Sequence, residues 1–462
     1  MKRKKVLVCG LTAAMLLPMV GCGSKPAQGG DNGGAATSEN LIQYSDLLLG
    51  KDCTDLSATI TMFNHRTDMD SAEYGGKNWE SYLADFNKMY PNIKVEITTD
   101  TDYAEDALTH LQSGDYETIM GIPAIDKADL GTYFMPYGDY DTMSEEINFV
   151  NAWKYDDMIY GVPSTATAQG IVYNKAVFKE AGITQLPKTP TEFIDDLQII
   201  KDNTDAIPLY TNYAAEWTMG AWDAYFVNAT GDSAYQNQKF IHAKDPFKNF
   251  NDETHPYALY KILYDAVANG LTEEDYTTTD WEGCKGMINR GEIACMTLGS
   301  WAVPQMKAAG ENADDIGYMA FPISVDGKQY ALAGADYSYG INVNASEDEK
   351  QAAIIFVKWL TELSGFTYNE DGLPIDVDST ETTLSFEGVE LVEEEPAISG
   401  EEDLLNELNA ESELNFNAGG NTKIMEIVEH AANKDLSFDE IMDSWNASWS
   451  EAQEACGVEV TE

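Results

Sequence analysis

The sequence predicts an α/β protein with mostly parallel sheets. Short apolar strands alternate with amphipathic helical segments, and polar and aromatic residues collect where those strands should end. With 462 residues at 44% hydrophobic, the chain can also bury a sizeable core. Ala58 to Phe63 (ATITMF) reads as a buried strand that follows the polar Asp55. Trp79, Leu83, Phe86, Met89 and Tyr90 recur at helical spacing, and Pro91 ends that helix. Ile93 to Thr98 (IKVEIT) alternates as a second strand, Tyr103 to Leu111 reads as a helix, and Thr118 to Ile122 as a third strand. Ligands of such sheets bind beyond the carboxyl ends of the strands. The loop at that place after the first strand, Asn64-His65-Arg66-Thr67-Asp68, is polar and mixed in charge.

Further along, Ser164 to Gln169 is small, polar and non-helical, which suits an extended strand. Tyr173-Asn174 closes it before a helix from Lys175 to Ala181, with Gly182 as its cap. A short strand from Ala206 to Tyr210 leads into Thr211-Asn212-Tyr213-Ala214-Ala215-Glu216-Trp217, with Trp222-Asp223 soon after. The strand from Ile293 to Leu298 is followed by Gly299-Ser300-Trp301, and a helix is expected from Glu347 to Leu363. Trp445 and Trp449 are four apart on a C-terminal helix and should share one packing face.

The chain begins with Lys2, Arg3, Lys4 and Lys5 ahead of an apolar run from Val6 to Val20 that stops at Gly21-Cys22. A charged head with a short greasy segment is a secretory leader, too short and wrongly flanked to span a membrane. Cysteine at its end resembles the bacterial lipobox, with Met19 standing where Leu is usual. That resemblance makes Cys22 a lipidated first residue of the mature protein, held on the outer face of the membrane. Gly23 to Asn40 is Gly, Ser, Ala, Asn and Gln with little to bury, so a flexible linker is expected over 23–53. No later stretch approaches the ~18 apolar residues of a spanning helix.

The net charge is −51, and loss of the leader's four basic residues takes it to −55. This charge repels nucleic acid and anionic lipid, which argues against either as a partner. The acidic stretch from Glu390 to Glu402 reads as a solvated loop or flap. Beyond Cys9 and Cys22 lie Cys53, Cys284, Cys295 and Cys456, irregularly spaced and without a Cys-x-x-Cys, so no zinc site is expected and disulfides stay open. Glu370-Asp371-Gly372 near Asp376-Val377-Asp378 hints at a calcium loop but lacks the full pattern, so it reads as an acidic surface loop and no metal is assigned. The five histidines are scattered, with no His-Glu-x-x-His, no Gly-x-Ser-x-Gly and no phosphate-binding loop. With 79 carboxylates a hydrolytic pair can always be imagined, so their number argues for nothing.

Several short motifs occur in a fixed order: Tyr160-Gly161-Val162-Pro163, then Gly170-Ile171-Val172-Tyr173-Asn174-Lys175, then Phe178 with Gly182, and Pro187-Lys188-Thr189-Pro190. Gly299-Ser300-Trp301, Gly317-Tyr318-Met319-Ala320-Phe321-Pro322 and Leu332 to Asn342 follow. Together they resemble the family 1 extracellular solute-binding proteins of ABC importers, the group of maltose- and oligosaccharide-binding proteins. The resemblance runs from about Asp55 to the C-terminus. It implies two α/β lobes of the type II periplasmic-binding-protein kind, with a ligand cleft between them and a hinge of crossing strands. The crossings are expected near Ser164–Ile171, Tyr318–Phe321 and Leu360–Gly365. One lobe then comprises 54–165 and 321–361, the other 166–320 and 362–462, after a leader over 1–22.

The implied function is capture of a carbohydrate, an oligosaccharide by expectation, and its delivery to the permease subunits of an ABC transporter. The protein is expected to act as a monomer, without cofactor and without chemistry of its own. Sugars stack C–H faces on aromatic rings and need polar partners for their hydroxyls. The candidate ligand residues are therefore His65, Arg66, Asp68, Asn212, Tyr213, Trp217, Trp222, Asp223, Trp301, Asp336 and Tyr337. The resemblance adds Thr167 and Gln169 in the crossing strand. Arg66 reads equally as a ligand clamp or as a partner for Asp68. The alternatives are a non-sugar solute such as a polyamine, a surface glycan-active enzyme, and a glycan-binding adhesin or sensor.

Overall fold

The computed structural model describes residues 41–380, 382, 384, 388–398, 400–401, 403–416 and 422–461. The expected leader, Cys22 and the linker as far as residue 40 lie outside the described residues. Among those described, no helix is long and apolar enough to cross a membrane.

Two sheets organise two lobes. In the first lobe, Ala58–Asn64 runs parallel to Ile93–Thr99 on one side and to Ile119–Gly121 on the other. Ser338–Asn342 then joins antiparallel, carrying Phe134–Met135 and Val162–Pro163. The alternating strands place Ile60, Met62 and Ile93 against the helices Trp79–Met89 and Glu347–Glu362, whose Trp79, Phe86, Phe356 and Trp359 complete one core. Asn78 accepts from Ser81 N to start the first of these helices, and a reciprocal Ser346–Glu349 capping box starts the second.

The second lobe centres on the long strand Ala166–Asn174. Ile293–Gly299, Ile316–Met319 and Gln329–Ala335 all pair with it antiparallel, and Ile207–Leu209 extends the sheet beside Ile293–Gly299. Its core gathers Phe193, Phe226, Tyr260, Trp445 and Trp449 from the surrounding helices, and Phe416 from the turn after the helix Leu404–Ser412. Trp445 and Trp449 do share a face, both packing on Phe416.

The chain passes between lobes at Ser164–Thr165 and again at Asp336–Tyr337. These two passages are tied by backbone bonds, Asp336 N to Thr165 O and Ser164 N to Tyr337 O, each 2.9 Å. The expected crossing at Tyr318–Phe321 is therefore displaced. Phe321 belongs to the second core, and Gln329–Ala335 continues the second sheet before the chain leaves it. The third passage lies beyond Phe366, which still packs in the first core, and leads to Leu373, bridged to Ala166.

Two other expectations are corrected. Residues 41–53 are not linker: Tyr44 and Leu47 are buried in the first core, and Ile42 N donates to Gln351 Oε1 at 2.8 Å. The acidic flap is not wholly solvated either. Val389–Val392 pairs with Gln329 to Leu332, and burial pushes the Glu394 carboxyl up to about 7, against a bond from Asn237. Cys53, Cys284, Cys295 and Cys456 are all free thiols.

Candidate functional site

The first strand ends at Asn64, and the loop beyond it turns into the space between the lobes. Asn64, His65, Arg66, Ser164, Thr165, Trp301, Asp336, Tyr339, Phe366 and Glu370 line that space, a narrow cleft with a cavity volume of about 10 Å³. They come from both lobes and from both passages between them. Four of the predicted residues, His65, Arg66, Trp301 and Asp336, are thus brought together.

Arg66 is committed to the protein. Its Nε and Nη2 donate to the two carboxylate oxygens of Asp68 at 2.9 and 3.0 Å, Nη2 also donates to Tyr74 Oη at 2.9 Å, and Nη1 donates to Glu370 Oε2. Burial opposes the guanidinium charge, but Glu370 and Asp68 outweigh it and hold the pKa well above the usual value. Asp68 is likewise disfavoured by burial, yet Arg66 keeps its carboxyl below the usual range. Burial lifts Glu370 in spite of Arg66. The segment Glu370-Asp371, expected as an acidic surface loop, is therefore structural: Glu370 is buried on Arg66, and Asp371 accepts from Lys307 Nζ at 2.6 Å.

His65 packs on Tyr337 with ring centroids 4.5 Å apart, and Tyr103 stands edge-on to both. Burial, reinforced by the Arg66 charge, lowers the His65 pKa to about 3, so the imidazole is neutral. Asp336 sits in the second passage, where burial raises its carboxyl above the usual range against a bond from the Tyr337 backbone and the Arg66 charge. Around this wall Thr165 Oγ1, Ser338 Oγ, Thr367 Oγ1 and Glu370 Oε1 are buried without a hydrogen-bond partner among the described residues. Buried polar groups are normally paired, so these acceptors and hydroxyls suit a polar ligand or ordered water.

The second lobe contributes indoles. Trp301 follows the strand Ile293–Gly299, and Ser300 locks that turn to the crossing strand through Ala168 N to Ser300 Oγ at 3.0 Å. Gly299 is required here, because a Cβ would lie 2.5 Å from Trp301 Nε1. Trp217 is 38% exposed and tilts toward Trp301 with centroids 5.7 Å apart. Trp281, which sequence reasoning missed, contacts both, at 5.0 Å from Trp217 and 5.7 Å from Trp301. Lys285, one helical turn on, is also buried and its charge is felt at His65 and Asp68.

Other predicted residues lie elsewhere. Trp222 is 3% exposed and packs edge-on against Phe321, and Asp223 accepts from Tyr260 Oη at 2.7 Å, so both support the second lobe's core. Tyr213 donates to Glu429 at 2.5 Å and packs on Tyr276. Asn212 is buried in the left-handed region at φ 56°, and its Nδ2 points at Met296 Sδ, 3.2 Å away. Thr167 is buried opposite Gly334, and Gln169 is half-buried opposite Gly299, near Trp301.

Residues 70–363 match the model of the bacterial extracellular solute-binding protein family. The fold is similar, at a TM-score of 0.87 and 53% identity, to a manno-oligosaccharide-specific solute-binding protein of Bifidobacterium animalis subsp. lactis solved with mannotriose, covering 90% of this chain and 99% of that one. A second binding protein of an ABC transporter from the same organism, solved with mannobiose, is 54% identical over the same shares, also at 0.87. Among curated proteins, the multiple sugar-binding protein of Streptococcus mutans is 25% identical over 333 residues, 69% of this chain and 75% of the relative. The chain belongs to the bacterial extracellular solute-binding proteins.

Proposed function

We propose that this protein captures a manno-oligosaccharide outside the cell and delivers it to the membrane-spanning permease of an ABC importer. The observation that carries the reading is the 53% identity, over nearly the whole of its length, to a protein solved with mannotriose. The cleft supports it chemically. Trp217 and Trp301 offer ring faces for the C–H faces of sugars, and Asp336, Glu370 and Thr165 offer buried polar atoms for hydroxyls. The passages at Ser164–Thr165 and Asp336–Tyr337 act as the hinge about which the lobes close.

Cys22 carries a lipid on the outer face of the membrane, and the segment up to residue 40 tethers the lobes to it. The Streptococcus pneumoniae maltooligosaccharide-transporter relative, 25% identical over 377 residues, is itself named a lipoprotein, which supports this anchor. The protein performs no chemistry. Asp68 and Glu370 are both held on one guanidinium, not arranged as an acid and a base across a scissile bond.

Titration calorimetry of the chain starting at Gly23, against mannobiose, mannotriose, maltotriose, raffinose and spermidine, tests the reading. Binding of the manno-oligosaccharides in preference to the rest is expected. A response to spermidine without a response to any sugar would overturn the cargo, and shortening of mannotriose in the cell would overturn the non-enzymatic role.

A further inference from the structure

The three indoles are not equivalent. Trp301 lines the cleft; Trp217 and Trp281 stand behind it outside that lining, Trp217 38% exposed and Trp281 half-buried. The three rings form a closed triangle, with Trp217 and Trp301 also 5.7 Å apart, and Trp281 makes its shortest contact, 5.0 Å to Trp217. It meets Trp217 nearly perpendicular, at 83°, and Trp301 at 60°. The three arise from three separate elements: the helical turn Trp217–Gly220, the start of the helix Trp281–Asn289, and the turn after Ile293–Gly299. Among the described residues no strand pairing joins those elements at the rings; Ala214 N donates to Thr279 Oγ1 at 2.7 Å just ahead of Trp217 and Trp281, and beyond it the indoles meet through ring contact.

Trp281 is itself held from behind. Its helix starts at Asp280, whose side chain accepts from Glu282 N and whose backbone N donates to Tyr210 Oη. One helical turn on, Lys285 Nζ lies 4.9 Å from the Trp281 ring centroid, a cation over an indole face. Glu282 fixes that ammonium through both carboxylate oxygens, at 3.0 and 2.9 Å. A face occupied by a pinned lysine is not open to a sugar. The same lysine is close enough to the first lobe for its charge to act on Asp68 and His65.

Resting on the sugar-binding reading above, we infer that Trp281, braced by Lys285, is a positioning residue that sets the angle between Trp217 and Trp301 for stacking on an oligosaccharide. It governs affinity without contacting the sugar. Three indoles within 6 Å couple their transitions, so the array also has its own signature, a circular-dichroism couplet that a remote structural tryptophan would not alter.

The test compares Trp281→Ala, Trp281→Phe, Lys285→Met and Lys285→Arg in the full soluble chain. Mannotriose affinity is read by calorimetry, the indole couplet by circular dichroism, and folding by thermal melting. Trp281→Ala is expected to weaken mannotriose roughly tenfold or more and to reduce and reshape the couplet to that of the remaining Trp217–Trp301 pair while the protein stays folded. Trp281→Phe should recover part of the affinity. Lys285→Met should weaken binding, and Lys285→Arg, which keeps the cation over the ring, should restore it. A folded Trp281→Ala protein with wild-type affinity would overturn the proposal and leave the sugar reading intact. A wild-type protein that binds none of the oligosaccharides would overturn both.

Discussion

Replacing Arg66 by Met removes a guanidinium while keeping a long apolar side chain. In the wild type that group is 8% exposed and bonds Asp68, Glu370 and Tyr74. Glu370 beside it is 4% exposed, and its second oxygen has no partner among the described residues. Arg66→Met therefore strands a buried carboxylate, a change that costs about 3–5 kcal/mol. Asp68, at 17% exposed, can recover some hydration, so most of the loss falls on Glu370. The loss depends on pH. Burial already raises the Glu370 carboxyl against the pull of Arg66, and without Arg66 it rises further. A carboxyl with a raised folded pKa holds its proton more tightly in the folded state. Stability therefore falls as pH rises from the ordinary value of about 4.3 through the folded one. The deficit relative to wild type should be smaller at mildly acidic pH, near the ordinary carboxyl value, and larger at mildly alkaline pH. Urea unfolding followed by tryptophan fluorescence at the two pH values measures it. Adding Glu370→Gln should restore most of the stability at the higher pH, because the stranded charge is gone. A deficit under about 1 kcal/mol at the higher pH, an equal deficit at both, or no recovery in the double variant would refute the argument.

Three further outcomes follow from the same geometry. Trp301→Ala should weaken mannotriose binding by roughly 1–3 kcal/mol in calorimetry, as for an aromatic anchor; unchanged affinity in a folded variant would remove Trp301 from the site. With its pKa lowered to about 3, His65 should stay neutral in an NMR titration throughout the ordinary histidine range. Folding favours that neutral form, so the stability His65 contributes is present above the usual histidine pKa and is lost as pH falls below it. Cys22→Ala should move the protein from the membrane fraction to the soluble one, and retention in the membrane would rule out the lipid anchor.

The parallel strands that open the first lobe were readable because local pattern and tertiary packing agree, but the mostly parallel arrangement expected does not extend to the second lobe, where three strands pair antiparallel with Ala166–Asn174. Ile93–Thr99 alternates in sequence as its first half does in burial, Ala58–Asn64 is an apolar run whose last three residues are all buried, and Pro91 separates helix from strand where the chain turns. The first loop was readable for the same reason, since it follows a strand end. The partner of Arg66 was not, because Glu370 is 304 residues away and no periodicity links them. Trp222 reads as a loop residue until the short helical turns around it carry it into the core. Trp281 hides behind a polar run, Thr277 to Asp280, and only its neighbours in space reveal it. Residues 41–53 differ from the linker before them: Leu41, Ile42, Tyr44, Leu47 and Leu49 are apolar and pack on the first core, a composition shift after Asn40 that the linker assignment passed over.

Cleft residues divide by what happens to them when the lobes separate. The Arg66 network is internal to the first lobe: Asp68 and Tyr74 share its loop, and Glu370 follows a helix whose Phe366 packs in the same core. Asn369 strengthens that attachment by donating to Tyr82 Oη at 2.8 Å. Opening the hinge leaves these bonds in place. The Lys307–Asp371 pair is different, because Lys307 belongs to the second-lobe helix Ala302–Ala308 that begins beside Trp301. Gly75 marks the same seam: a Cβ there would sit 3.1 Å from the Ala308 backbone and 3.3 Å from its Cβ, so the two lobes meet closely at this point. Contacts of this second kind join the two lobes, so a separation of the lobes would break them. Arg66 therefore lines the cleft as a scaffold that keeps its wall rigid in either state, and the sugar is left to close the lobes through the indoles on one side and the unpartnered hydroxyl and carboxylate atoms on the other.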